Sequence, residues 1–248
     1  MKKIIFKKIK FLDIKDSDFN QIIKKNGLFL FPSGPGLSTI LYEKKYYNSL
    51  KKADFVFFDS GFFVLLLNIL KNIKVNKFSG YKFFQKLKLF LKKKPTSIFL
   101  IDPNYKLSKN NRILIKNLGF KKKNINQYVA PIYNSKNLKD IYLLKTLNKI
   151  KPKIILVNIG GGTQEILGLY LKKKLNFKTK IICTGAAISF FTGDQAPNND
   201  FIDRFYLGWL LRIIFNPKRF LLRYISTLRL FAIVLFNKIS VLNIYSFK

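Results

Sequence analysis

The sequence predicts an α/β protein built on a parallel sheet with flanking helices. Three observations carry that reading. Five short apolar runs recur along the chain, Gly27 to Phe31, Phe55 to Phe58, Ser97 to Ile101, Ile154 to Ile159 and Lys180 to Thr184. Each is followed by turn residues and then by a longer amphipathic stretch studded with Lys, which is the alternation of buried strand and covering helix. Finally, 248 residues with 48% hydrophobic and 24% charged side chains match ordinary globular usage, so a sizeable core is expected and a disordered or collagen-like chain is not.

Taken in order, the five runs are short enough for strands and apolar enough to be buried on both faces. In a parallel sheet, ligands bind beyond the carboxyl ends of the strands. The loops that begin at Pro32, Asp59, Asp102, Gly160 and Gly185 are therefore the places to look for a site. No repeat and no Gly/Ser-rich or Pro-rich linker interrupts residues 1–203, which read as one domain. From Asp203 the character changes to apolar and aromatic residues with spaced Arg, and residues 204–248 read as a basic amphipathic appendage that Pro217 divides into two helices. A wide apolar face edged with cations suits a helix lying in a membrane interface. A helix pair packed on the core has the same pattern.

Composition removes several chemistries. With one Cys (Cys183) and no His, a disulfide framework, a structural zinc site, and Ser-His-Asp or Cys-His catalysis are all excluded. No uncharged apolar run approaches the roughly 18 to 20 residues of a membrane span. Lys interrupts the apolar part of the basic N-terminus too often for a secretory signal, so a cytoplasmic protein is expected. The net charge of +35 calls for anionic partners, although AT-rich codons favour the same Lys, Asn, Ile and Phe. Arginine is the sharper clue. Only six of the 47 basic residues are Arg, and five of them (Arg204, Arg212, Arg219, Arg223, Arg229) lie in the appendage. A guanidinium grips phosphate through a planar fork that Lys lacks.

Without His, proton transfer falls to carboxylates, Lys or Tyr. Asp13, Asp16, Asp18, Glu43 and Asp140 sit among Lys and polar residues and read as solvated, while Asp54 begins a strand. Asp59 ends a buried run and opens the loop Ser60-Gly61 before an apolar helix. It is a candidate base at a strand end or, alternatively, the cap of that helix. Gly160-Gly161-Gly162 before Thr163-Gln164-Glu165 is a strand-to-helix turn suited to an anion, without the spacing of a dinucleotide or P-loop motif. Gly185-Ala186-Ala187 is a second turn of small residues.

Together these motifs resemble the WecG/TagA/CpsF glycosyltransferases, over about Phe29 to Tyr224. Gly160 with Gln164-Glu165 is similar to the family's G-x-P-x-Q-E, and Thr184 to Pro197 (TGAAISFFTGDQAP) to its G-x-x-x-D-F-x-x-G-x-x-x-R-A-P. Leu207 to Arg212 resembles L-E-W-x-x-R, and Asn216-Pro217-Lys218-Arg219 with Arg223-Tyr224 resembles E-P-x-R-x-x-R-R-Y. Upstream, Ala53, Asp59 and Gly61 resemble the block that carries the family's proposed catalytic base, and Lys77 to Gly80 its R-x-x-G. Ser33 falls near a pocket Thr. The chain departs from the pattern at Ser60, Lys77, Tyr81, Ser189, Gln195 and Gly208.

The resemblance implies a Rossmann-like fold and a metal-independent, inverting transfer of a HexNAc-type sugar from a UDP-sugar to an undecaprenyl-diphosphate-linked sugar, for cell-surface polysaccharide. It also implies a peripheral place on the inner face of the plasma membrane, with an anionic membrane surface as partner. No cofactor beyond the UDP-sugar donor is expected, and a homo-oligomer is left open. On this basis Asp59 is the expected catalytic residue. Ser33, Lys77, Gly80, Gly160, Gln164, Glu165, Gly185, Arg212, Arg219 and Arg223 are the expected substrate-binding residues. The alternatives are a degenerate, non-catalytic member and a basic nucleic-acid-binding protein. No helix-turn-helix, RNP or zinc motif supports the latter, so no specific nucleic acid is expected.

Overall fold

The computed structural model describes residues 1–134, 138–195, 202–203 and 208–243; Ala186, Gly208, Arg212, Arg219, Phe220 and Asn243 are described by their backbone alone. Its strands are β1 (Lys2–Phe6), β2 (Ile9–Asp13), β3 (Gly27–Leu30), β4 (Phe55–Phe57), β5 (Ile98–Asp102), β6 (Ile125–Val129), β7 (Ile154–Val157), β8 (Lys180–Cys183) and β9 (Ile239–Asn243). They form one sheet in the order β6-β5-β7-β8-β3-β4-β2-β1-β9. From β6 to β2 every neighbouring pair is parallel, while β1 runs antiparallel to both β2 and β9. The five apolar runs are thus strands β3, β4, β5, β7 and β8, as expected of an α/β fold.

Helices cover both faces: α1 (Phe19–Ile22), α2 (Gly34–Leu37), α3 (Lys44–Lys52), α4 (Gly61–Lys71), α5 (Gly80–Lys93), α6 (Tyr105–Asn117), α7 (Ile141–Ile150), α8 (Thr163–Lys174) and α9 (Ser189–Thr192). Alternate residues of one strand face opposite sides. In β3, Leu28 and Leu30 enter one core while Phe29 and the following Phe31 enter the other. The second core is a stack of phenylalanines. Phe29 lies 4.4 Å from Phe55, Phe31 lies 4.8 Å from Phe57, and Phe83 of α5 closes on Phe31 at 4.8 Å. Where α8 crosses the sheet there is room only for Gly168: a Cβ there would stand 2.7 Å from Leu28 Cδ1 and 2.8 Å from Cys183 Sγ.

Two expectations need correction here. Among its described residues the appendage has three α-helices and a strand rather than two helices: α10 (Gly208–Phe215), α11 (Pro217–Ile225), α12 (Arg229–Leu235) and β9. Pro217 opens α11, where its fixed φ and missing N–H cost nothing. Leu230, Ile233 and Val234 of α12 are buried in the same core as α4, and Lys71 Nζ donates to the Leu235 carbonyl at 2.9 Å. Asp13 and Asp140 are buried rather than solvated. Asp13 Oδ1 accepts the backbone and side-chain amides of Asn76, both at 2.9 Å. Asp140 caps α7 and accepts the Tyr128 and Tyr133 hydroxyls. Asp16 and Glu43 are exposed, as expected. Among the described residues, no helix is long and apolar enough to cross a membrane.

Candidate active site

At the carboxyl ends of β3, β4, β7 and β8 the strand connections leave in opposite directions and open a cleft of about 560 Å³, the place where open α/β sheets bind ligands. Four of the five loops singled out by sequence line it. The fifth does not, because Asp102 points into the sheet, fully buried, and accepts the amides of Asn111 and Asn158 at 2.7 Å each.

Asp59 lines the cleft just beyond β4. Its Oδ1 accepts the backbone N–H of Gly80, the first residue of α5, at 2.8 Å. The cap of α4 is Ser60, whose hydroxyl accepts the Phe63 N–H. Asp59 is therefore not needed to cap α4, and its charge lies at the positive start of a 14-residue helix. Gly80 must be small, since a Cβ would stand 3.3 Å from the Thr184 carbonyl. Ser33 also lines the cleft and caps α2, accepting the Gly36 N–H at 3.3 Å.

The opposite wall is the turn Gly160 to Gly162. Gly162 adopts φ 94°, a conformation that L side chains rarely take. Glu165 holds this turn, with Oε2 accepting the Gly162 N–H at 2.7 Å. Its other oxygen accepts Gln164 Nε2 at 3.2 Å, and that same amide nitrogen also donates to the Cys183 carbonyl at 3.3 Å. Both side chains are almost wholly buried. Burial pushes the Glu165 carboxyl up to about 7 despite those hydrogen bonds and the attraction of Arg223. Gly185, at φ 61°, lies so close to Gln164 that a Cβ would stand 3.2 Å from its amide nitrogen. Two buried oxygens on the cleft lining, Gln164 Oε1 and Thr184 Oγ1, have no hydrogen-bond partner.

The appendage forms the roof. Trp209, Ile213, Leu221, Arg223, Tyr224 and Leu228 line the cleft, and Trp209 and Tyr224 lie 6.1 Å apart. Arg223 reaches the glycine turn, its Nη2 lying 3.6 Å from where a Cβ on Gly161 would be. Arg212 stands on α10 and Arg219 on α11, but their side chains lie outside the described residues. Lys77 is also in the cleft, where it pairs with Asp203 at 2.7 Å. Thus Asp59, Ser33, Lys77, Gly80, Gly160, Gln164, Glu165, Gly185 and Arg223 converge on one cleft.

A family model described as Glycosyl transferase WecG/TagA/CpsF family matches residues 12–243. The chain belongs to that family. A search of the curated proteins finds no match. This WecG/TagA/CpsF glycosyltransferase also places at its site residues that the sequence did not single out. Tyr46 of α3 is buried behind the cleft, where burial, then Glu165 and Asp59, drive its hydroxyl far above the ordinary tyrosine range while Arg223 opposes them. Ser79 and Asp203 line the cleft beside Lys77. Ser79 could have been found as the cap before Gly80; Tyr46 and Asp203 carry no local signal. Among the described residues there is no group of three or more His, Cys, Asp or Glu side chains that could hold a metal ion.

Proposed function

We propose that this glycosyltransferase moves a HexNAc-type sugar from a UDP-sugar to an undecaprenyl-diphosphate-linked sugar, by single displacement with inversion and without a metal. The observation that carries the reading is the pairing of Asp59 on one wall of the cleft with Arg223 over the glycine turn on the other. In the step proposed, an acceptor hydroxyl oxygen attacks the anomeric carbon while the bond from that carbon to the UDP oxygen breaks. The hydroxyl proton passes to the Asp59 carboxylate. The electron pair leaves with the diphosphate, whose charge Arg223 meets with its fork of donors, joined by Arg212 and Arg219.

The lipid-linked acceptor fits the outer surface of the appendage. Leu222 and Phe236 are 76% and 81% exposed, and Lys218 and Arg229 are exposed beside them. Apolar area with interspersed cations is what a peripheral helix offers an anionic lipid surface. We place the protein on the inner face of the plasma membrane for that reason.

The experiment is transfer from a panel of UDP-sugars to a lipid-diphosphate-GlcNAc analogue, by wild-type protein and by Asp59→Asn. Wild type should turn over one donor. Asp59→Asn should lose about 100- to 10,000-fold in rate, as removal of a positioned base does, with UDP affinity kept within a fewfold. Full activity in Asp59→Asn removes Asp59 from the mechanism. No turnover with any donor, together with salt-steep DNA binding, refutes the transferase reading.

A further inference from the structure

Asp203 occupies the cleft in a manner that the proposed reaction does not use. Lys77 Nζ donates to the Asp203 carboxylate at 2.7 Å and to the Asp203 backbone carbonyl at 2.6 Å. Ser79 Oγ donates to the other carboxylate oxygen at 3.0 Å. Both members of the ion pair are largely buried, with side chains 11% and 14% exposed, so water and salt screen the pair little. Ser79 is the N-cap of α5, a helix of 14 residues. An ammonium and a hydroxyl are donors suited to phosphate. Here they hold a carboxylate of the chain itself.

We propose that Lys77 and Ser79 form an anion subsite for a phosphate group of the nucleotide donor, and that Asp203 fills it until the ligand displaces it. The donor's identity rests on the transferase reading above; the subsite itself does not. Two features support the assignment. Asp203 reaches the site from 124 residues beyond Ser79, whereas Lys77 and Ser79 belong to the core loop before α5. All three residues line the same cleft as Asp59.

The exchange has a built-in selectivity. Displacing Asp203 gives up a short, largely buried ionic contact with Lys77, a loss that another anion in its place offsets. A diphosphate brings more charge and more acceptor oxygens than one carboxylate and can win that exchange. A neutral nucleoside gains nothing from it.

Calorimetric titration of wild type, Asp203→Asn, Lys77→Met and the double variant with inorganic pyrophosphate, UDP and uridine tests this. Asp203→Asn should bind pyrophosphate and UDP about tenfold more tightly or better, the value of one charged contact no longer contested, and uridine as wild type does. Lys77→Met should weaken pyrophosphate and UDP by at least about tenfold on the same reasoning, and in the double variant Asp203→Asn should bring no gain. Unchanged or weaker pyrophosphate binding by an Asp203→Asn protein that melts like wild type overturns the proposal. Should Asp203→Asn not fold, Lys77→Met decides, and wild-type pyrophosphate affinity in that variant overturns the subsite. Wild-type protein that turns over no donor, with the pyrophosphate gain of Asp203→Asn intact, refutes the transferase reading and leaves the subsite standing.

Discussion

Replacing Glu165 by Gln tests whether the buried carboxylate under the glycine turn governs stability near neutral pH. Burial raises its carboxyl from the ordinary 4.5 to about 7. Between those values the unfolded chain has lost the proton and the folded protein keeps it, so the folded state binds more protons and stability falls as pH rises. At 1.36 kcal/mol per pH unit, the full loss is about 3 kcal/mol, complete just above pH 7. The chain has no His, which leaves this window unusually clear. Asp102 is also raised by burial, and Asp102→Asn measures whether it adds to the slope. In Glu165→Gln the new amide can still accept the Gly162 N–H, but its NH2 then meets Gln164 Nε2, donor against donor. Relief requires rotating the Gln164 amide, whose Oε1 is unpartnered, at the cost of its bond to Cys183 O, about 1 kcal/mol. The variant should therefore be about as stable as wild type at pH 5, where wild type has already lost about 0.8 kcal/mol, and about 2 kcal/mol more stable at pH 8, on those two figures. Urea unfolding at half-unit steps from pH 5 to 8.5 measures this. A Glu165→Gln curve that keeps the whole wild-type slope refutes the reasoning.

Three other outcomes are expected. Gly168→Ala should cost about 1 to 3 kcal/mol in urea unfolding, because the new methyl meets Leu28 and Cys183 inside 3 Å; a variant as stable as wild type would show that α8 shifts freely on the sheet. Transfer should persist in excess EDTA, with arginines in the place a divalent ion takes elsewhere; activity lost in EDTA and restored by magnesium or manganese contradicts the proposed mechanism. Replacing Arg212, Arg219 and Arg223 together by Lys should preserve sedimentation with anionic liposomes, since Lys contributes about as much as Arg at roughly 1 kcal/mol per residue. It should sharply reduce transfer, because the guanidinium fork is gone; wild-type turnover on a water-soluble acceptor would reduce the cluster to an anchor.

The strands legible in the sequence are those buried on both faces, β3, β4, β5, β7 and β8, where apolar side chains must run without interruption. The four that escaped notice lie toward the sheet's ends. In β1 and β2 the exposed positions are Lys2 and Lys10, and Lys3 is only half-buried. Their connection, Lys7-Lys8, is a two-residue turn with both φ positive, 50° and 62°, a geometry usually signalled by Asn-Gly. With Lys in that place no turn signal exists. β6 is an edge strand of mixed polarity, and β9 is short and follows three helices, so periodicity had nothing to measure. Asp13 and Asp140 were misread for a related reason: their partners, Asn76, Tyr128 and Tyr133, are brought to them by folding, and a carboxylate among lysines looks solvated until those partners are known.

The site divides along the same line. Residues at strand ends and in glycine turns were found because a parallel sheet fixes where its loops gather, whatever their sequence. Which of two chemically equal readings holds at such a place depends on a neighbour one residue or a hundred residues away. Asp59 could cap α4 or serve the cleft, and the Ser60 hydroxyl on Phe63 assigns the cap to Ser60, which leaves the Asp59 charge to the cleft and to Gly80. Gln164 and Glu165 were both expected to touch substrate, yet they face different constraints. Glu165 spends both oxygens on Gly162 and Gln164, whereas Gln164 keeps a buried oxygen unpartnered. Of the two, Gln164 has the unmet hydrogen-bonding capacity that a ligand can satisfy, and Glu165 shapes the turn over which Arg223 waits.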